Sequence, residues 1–266
     1  MISVVMLTLN KGPFLPLAVA SAMESPEVEL ILVCPDKSDS SYSLFPELIR
    51  FYGDRIQIVS ELDNSPAEGL NNGMKVVRGE ITAVLNGDDF YLPGALDFVS
   101  TTFKMDANLD ILLGGGLVLD QRTNLIKHVI PGNIRFANRF KNFPGTFTFL
   151  HQSMFYRTDT FKNLKFNETN RMNWDTEFLL SMLEMKPKIK VAHNALAVFR
   201  LSADNLSSEI QSSKNAVGQN WNMASIFSPK LFALRMISGF LRLSKFIKLI
   251  SWSVLCQFKR EQYRKV

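Results

Sequence analysis

The sequence predicts an α/β fold, with a mostly parallel central sheet flanked by helices. Two observations carry that expectation. Short apolar runs recur every 20 to 30 residues, with stretches of helical spacing between them. That alternation builds parallel strands joined by right-handed crossovers. Polar clusters rich in Asn, Asp, Gly and Ser follow the apolar runs, and in open parallel sheets ligands bind at the carboxyl ends of strands.

Residues 2–9 are rich in Ile, Val and Met, as in a strand buried on both faces, and Asn10-Lys11-Gly12-Pro13 closes them with a turn. Residues 14–23 have helical spacing and stop before Pro26. Residues 28–33 form a second strand, ended by Pro35-Asp36, and residues 44–52 a helix stopped by Gly53. A third strand spans 56–59, a helix 67–77 and a fourth strand 81–85, which Asn86-Gly87-Asp88-Asp89 closes. In the second half, 93–103 reads as a helix and 111–119 as a strand containing Gly114-Gly115-Gly116. Such a glycine run weakens a strand and marks close approach of backbone or ligand. Residues 146–156 read as a strand, 176–185 as a helix stopped by Pro187, and 189–199 as a further strand. The expected organisation is one domain over 1–210, with halves 1–105 and 106–210, and a basic amphipathic helical tail over 211–266.

The hydrophobic fraction of 46% and charged fraction of 21% exclude disorder along most of the chain. With two cysteines, Cys34 and Cys256, neither a disulfide framework nor a cysteine zinc site is available. The first residues show no basic region and no small-residue cleavage site, so they read as a strand, and a reducing cytoplasm is the expected compartment. The net charge of +5 is uneven: residues 229–266 hold nine Lys/Arg and one Glu, or +8, which leaves 21 Lys/Arg against 24 Asp/Glu elsewhere. The basic pI therefore reflects the tail and does not signal a nucleic-acid binder. On a helix, Arg235, Arg242, Lys245 and Lys248 fall within about 140° of one another. That fits a helix lying on an anionic membrane surface, peripheral to the inner face of the cytoplasmic membrane. Helices packed on the domain with basic outer faces are the alternative. Between Leu231 and Phe258 the longest uncharged run, 249–258, is too short to span a bilayer, which takes about 20 residues.

Three constellations could carry chemistry. Asp88 and Asp89, adjacent at a strand end after Gly87, suit a hard divalent cation, although Asn, Gly and Asp are also ordinary turn residues. Asp175 precedes an apolar helix, as an N-cap or as a general base, and Trp174 beside it suits a pocket wall or a sugar-stacking surface. His151, before Gln152, suits a phosphate, a metal or a structural role, whereas His128 and His193 lack partners at ligand spacing. No Ser-His-Asp signature, phosphate loop or GxGxxG fingerprint occurs.

Taken together, these pieces resemble the family 2 glycosyltransferases of the GT-A fold, in that family's order. The resembling segments are Val4-Val5-Met6-Leu7-Thr8-Leu9-Asn10; Glu29-Leu30-Ile31-Leu32-Val33 with Asp36, Ser38 and Asp39; and Glu68-Gly69-Leu70-Asn71-Asn72-Gly73. They continue with Arg78-Gly79-Glu80, Leu85-Asn86-Gly87-Asp88-Asp89, His151-Gln152 with Phe155-Tyr156-Arg157, and Trp174-Asp175. The resemblance covers residues 1–208 and implies a Rossmann-like catalytic domain, its first half holding the nucleotide sugar and its second half the acceptor. It implies Thr8, Asn10, Asp36, Asn71 and Asp88 as nucleotide-binding residues and Asp89, with Asp88, as ligand of Mn²⁺ or Mg²⁺. It further implies Asp175 as catalytic base and places His151, Trp174 and Arg200 near the diphosphate or acceptor. The expected reaction is inverting transfer of a sugar, from a UDP-linked donor, to a hydroxyl of a glycan or polyprenyl-linked acceptor, as in bacterial surface-polysaccharide synthesis. The sequence departs from the family at Cys34-Pro35, at Asn86 in place of an Asp, and at Leu70 in place of an Arg. These departures define one rival, a catalytically inactive sugar-nucleotide or glycan-binding module. A nucleotidyltransferase is a second, with Leu9-Asn10-Lys11-Gly12 a poor version of its loop.

Overall fold

The computed structural model describes residues 1–121, 123–132, 149–171 and 173–201. Its first half is strictly alternating: β1 (Ile2–Leu7), α1 (Leu15–Met23), β2 (Val28–Val33), α2 (Phe45–Tyr52), β3 (Ile56–Val59), α3 (Pro66–Met74) and β4 (Ile81–Asn86). There follow β5 (Phe90–Tyr91), α4 (Ala95–Met105), β6 (Ile111–Asp120), β7 (Leu125–Val129), β8 (Met154–Arg157), α5 (Thr158–Phe161), α6 (Trp174–Glu184) and β9 (Ile189–Leu201). One sheet runs β3-β2-β1-β4-β8-β6-β9-β5, with β7 paired to β6.

The four first-half strands are parallel and in step. Leu7 pairs level with Val33 and with Asn86, and Val33 with Val59. Four strands therefore end on one line, and the loops that leave them share one rim. Their continuous apolar character follows from burial on both faces. Val4 and Met6 enter one core with α1, α4 and Phe155, while Val5 enters the other with Leu70, Phe178 and Met182, as the period of two along a strand requires.

The second half adds antiparallel pairings. β8 lies between β4 and β6 and is antiparallel to both. The strand expected over 146–156 is shorter: residues 151–153 form a 3₁₀ turn and pairing starts at Met154, while residues 146–148 lie outside the described residues. The triple glycine marks backbone approach. A Cβ on Gly115 would meet the carbonyls of His193, Asn194 and Val129 at 2.9–3.2 Å. Here the parallel β6–β9 register shifts twice, between Leu113 and Gly116, so the glycines let two long strands slip past each other at a bulge.

One polar cluster ties the other end of the sheet together. Glu29, 1% exposed, accepts from Ser3 Oγ, from the backbone N–H groups of Arg78 (2.7 Å) and Gly79 (3.1 Å), from Arg78 Nε (2.6 Å) and from Gln57 Nε2 (3.1 Å). Burial opposes its charge, but these donors outweigh it and hold the carboxyl below its ordinary range. The expected tail over 211–266 lies outside the described residues. Among the described residues no helix is long and apolar enough to cross a membrane.

Candidate functional site

A cavity of about 690 Å³ opens at the rim where the parallel strands end. The loop after β1 supplies Thr8, Leu9, Asn10 and Lys11; the loop after β2, Pro35; the loop after β3, Asp63 and Asn64; the loop after β4, Asp88. The opposite wall comes from the second half: Leu150, His151, Gln152, Arg171, Trp174 and Asp175.

The loops are stitched to one another by hydrogen bonds that cross between strand ends. Gly87 N donates to Leu7 O (2.8 Å), Thr8 Oγ1 to Val33 O (2.9 Å), Ser41 Oγ to Thr8 O (2.6 Å) and Asn10 N to Asp39 Oδ2 (3.0 Å). Asn10 adopts a left-handed backbone, φ 59°, which Asn tolerates better than most residues. The first rim of the cavity is thus preorganised by its own backbone.

The two adjacent aspartates have different tasks. Asp89 is 1% exposed and is not part of the cavity wall. Its Oδ1 accepts from Arg200 N (2.8 Å) and its Oδ2 from Gln152 Nε2 (2.6 Å) and Asn86 Nδ2 (3.2 Å). Burial and then the neighbouring Asp88 charge push its carboxyl up to about 6, against those hydrogen bonds. Asp88 faces the cavity and pairs through Oδ2 with Lys11 Nζ. Asp89 therefore ties β4 to β9 and to the 151–153 turn, and Asp88 is the carboxylate that faces the cavity. Arg200 braces the turn after β4. Its Nε donates to Asp88 O (2.9 Å), and its guanidinium lies over the rings of Phe14 (4.7 Å) and Phe90 (5.6 Å).

On the far wall, Asp175 occupies the first turn of α6, where Asn173 is the N-cap residue. The capping role considered for Asp175 is thus partial: its Oδ1 accepts from Thr176 N at 2.7 Å. Its Oδ2 lies 3.5 Å from His151 Nδ1, and His151 Nε2 lies 3.4 Å from Asn86 Nδ2. In the tautomer whose Nε2 accepts from Asn86 Nδ2, an Nδ1–H faces Asp175. Trp174 meets His151 edge-on at 5.1 Å and Phe166 at 5.6 Å, which fixes both aromatic groups in the wall.

Of the residues singled out from sequence, Thr8, Asn10, Asp88, His151, Trp174 and Asp175 line this cavity, whereas Asp36, Asn71, Asp89 and Arg200 do not. Asp36 is exposed and turned into its own loop. Ser38 donates to it from Oγ and from its backbone N–H, which lowers its pKa. Asn71 is spent on the 166–168 segment: its amide donates to Phe166 O and Glu168 Oε1 and accepts from Phe166 N. Lys11, Asp63, Asn64 and Arg171 line the cavity without having been assigned a role from the sequence. Asp63 follows β3, the one strand end of the four whose polar residues carry no motif.

Among the described residues no three His, Cys, Asp or Glu side chains come together in a way that could hold a metal ion. The donor set that fits a hard cation is the Asp88 carboxylate, whose Oδ1 receives no hydrogen bond among the described residues, with a bound diphosphate left to complete the shell. Asp89, expected as the ligand, has both oxygens engaged by N–H donors.

Solved structures of the same architecture define the class. The chain matches S. aureus TarS in complex with UDP-GlcNAc at TM-score 0.58 and 15% identity, over 77% of this chain and 59% of that one. It matches the mannosyltransferase PcManGT of Pyrobaculum calidifontis, in complex with GDP-Man and Mn²⁺, at TM-score 0.59 and 13% identity, over 79% and 59%. The fold is therefore GT-A. The model of glycosyl transferase family 2 matches residues 3–165, and the chain belongs to that family. An uncharacterised glycosyltransferase of Methanocaldococcus jannaschii is 24% identical over 63% of this chain and 60% of its own length. The minor teichoic acid biosynthesis protein GgaB of Bacillus subtilis is 24% identical over 82% of this chain and 25% of its own. The match thus spans less than two thirds of either relative.

Proposed function

We propose that this chain transfers a sugar from a nucleotide-sugar donor, UDP-linked, to a hydroxyl of a glycan or lipid-linked acceptor, with inversion, in cell-surface polysaccharide synthesis. The observation that carries the reading is one cavity with Asp88 on its strand-end wall and Asp175 on the wall built by the second half. The UDP-GlcNAc and GDP-Man complexes of the two structural relatives, and the teichoic acid role of GgaB, support it.

In this reading Asp175 takes the proton of the acceptor hydroxyl through Oδ2. The acceptor oxygen then bonds to the anomeric carbon while that carbon's bond to the diphosphate oxygen breaks on the opposite side. A base at this point contributes about 10²- to 10⁴-fold. His151, 3.5 Å from Asp175, orients the carboxylate. Asp88 would hold a divalent cation, which when bound neutralises charge on the departing diphosphate. Lys11, on Asp88, places a second positive charge at the same end.

The test is calorimetric binding of a panel of nucleoside diphosphates with and without Mn²⁺ or Mg²⁺, followed by assay of nucleoside diphosphate release. The expected result is cation-dependent binding, weakened by Asp88→Asn, and an Asp175→Asn variant that binds donor normally but turns over at least 100-fold more slowly. Full turnover by Asp175→Asn would reduce that residue to a helix-end contact. Release of pyrophosphate instead of a nucleoside diphosphate would point to the nucleotidyltransferase class.

A further inference from the structure

We propose that Asn86 sets the tautomer of His151 and, through that ring, the orientation of the catalytic carboxylate. A chain of hydrogen bonds then runs from the buried Asp89 through Asn86 and His151 to Asp175. The assignment rests on the transfer reading, with Asp175 as base, and makes Asn86 a positioning residue that acts through His151. It also gives a reason for an Asn at the position where the family's motif has an Asp.

The chain has a direction because each link leaves one choice. Asp89 is fixed by the backbone N–H of Arg200, which donates to Oδ1 at 2.8 Å, and by Gln152 Nε2, 2.6 Å from Oδ2. Asn86 Nδ2 lies 3.2 Å from the same Oδ2. An ionised carboxylate only accepts, so the Asn86 amide turns its NH₂, not its carbonyl, toward Asp89. That NH₂ carries a second hydrogen, and His151 Nε2 lies 3.4 Å from it. Facing a donor, Nε2 keeps its lone pair. The proton of the neutral ring then sits on Nδ1, 3.5 Å from Asp175 Oδ2.

The far end is constrained as well. Asp175 Oδ1 accepts from Thr176 N at 2.7 Å and from Thr176 Oγ1 at 3.3 Å, which leaves Oδ2 for His151 and for an acceptor hydroxyl. The His151 side chain is 12% exposed and meets Trp174 edge-on, which holds the ring in the wall. The links sit on three separate elements: the end of β4, the 151–153 turn and the first turn of α6. An Asp at position 86 would reverse the polarity by accepting from Nε2. His151 would then either turn an Nδ1 lone pair toward Asp175 Oδ2 or become a cation beside it. The first arrangement repels the carboxylate, and the second makes it a poorer proton acceptor.

The experiment reads the two ring nitrogens of His151 by ¹H–¹⁵N NMR of the full chain at pH 8, its signals told from those of the other two of the three histidines by His151→Gln. Release of nucleoside diphosphate from UDP-GlcNAc and GDP-mannose at saturating donor is followed in parallel. The parent is expected to show a neutral ring protonated on Nδ1. Asp175→Ala should keep that tautomer, because Asn86 still donates to Nε2. Asn86→Asp should protonate Nε2 and cut turnover at least tenfold, since a misplaced catalytic group costs up to about 100-fold. An Nε2–H ring or an imidazolium in the parent overturns the assignment. So does a change of tautomer in Asp175→Ala, because Asp175 and not Asn86 would then set it. Should Asn86→Asp fail to fold, the parent and Asp175→Ala spectra decide the tautomer without it. Full turnover by Asn86→Asp with Nε2 protonated overturns the positioning role while leaving Asp175 as base. Full turnover by Asp175→Ala removes the base itself, and the positioning role with it, whatever tautomer the spectra show.

Discussion

Replacing Glu29 by Gln removes one charge and two lone-pair sites from the point where β1, β2, β3 and the turn before β4 meet. Five N–H or O–H donors converge on its two oxygens. In the variant the new NH₂ faces donors, wherever it points. With the amide toward the Oε2 position it opposes Gln57 Nε2 and Arg78 Nε; toward Oε1 it opposes Ser3 and two backbone N–H groups. Hydrogen bonds to a charged group are worth about 1.5–3 kcal/mol each, and breaking a buried pair costs about 3–5 kcal/mol. The Arg78 side chain is 56% exposed, so its charge is rehydrated easily and the lower end applies, about 3 kcal/mol. That is a large share of the roughly 5–15 kcal/mol by which domains are stable. Urea denaturation at pH 7 should show the midpoint falling with an unchanged slope. The sign with pH follows from the lowered carboxyl. The stabilisation is complete above the unfolded pKa near 4.3 and disappears as pH falls through the lower folded value. The parent and variant curves should therefore converge below about pH 4. A loss under about 1 kcal/mol at pH 7, or a difference that does not change on acidification, would refute the clamp.

Other substitutions probe the site and its frame. Gln152→Leu should cost about 2–3 kcal/mol, since it strips a 2.6 Å donor from the buried Asp89 carboxylate; thermal unfolding with and without nucleotide should show lower stability and weaker binding. Phe155→Ala, at a fully buried position in β8, should cost about 3–5 kcal/mol by cavity formation, read from the urea midpoint. Deleting residues 229–266, with nine Lys/Arg and one Glu, should abolish co-sedimentation with phosphatidylserine vesicles at low salt, and a full chain that never sediments with them would overturn the membrane-surface expectation drawn from the sequence.

Several of these features were legible without coordinates. β1, β2 and β4 are apolar runs because both of their faces are covered, and such runs are hard to misplace. Asp88, His151, Trp174 and Asp175 stood out because each belongs to a short local pattern at an element boundary. Asp63 carried no such pattern, only a polar loop after a short strand. Glu29 was hidden inside the apolar run of β2 because its partners come from 26 to 50 residues away in the chain.

The alternation of apolar runs and helical segments was enough to specify the parallel half-sheet, because local burial and crossover handedness leave few alternatives. The family's motifs, in order, were enough to indicate the chemistry. The insertion of antiparallel β8 between β4 and β6, the bulge at Gly114–Gly116 and the division of labour between Asp88 and Asp89 depended on the assembled fold. Each is settled by which distant backbone or side-chain group arrives at a given point. Asp89 turns inward because Gln152 and the N–H of Arg200 meet it there; two identical side chains side by side hold no local information on which one a neighbour 63 or 111 residues away will take.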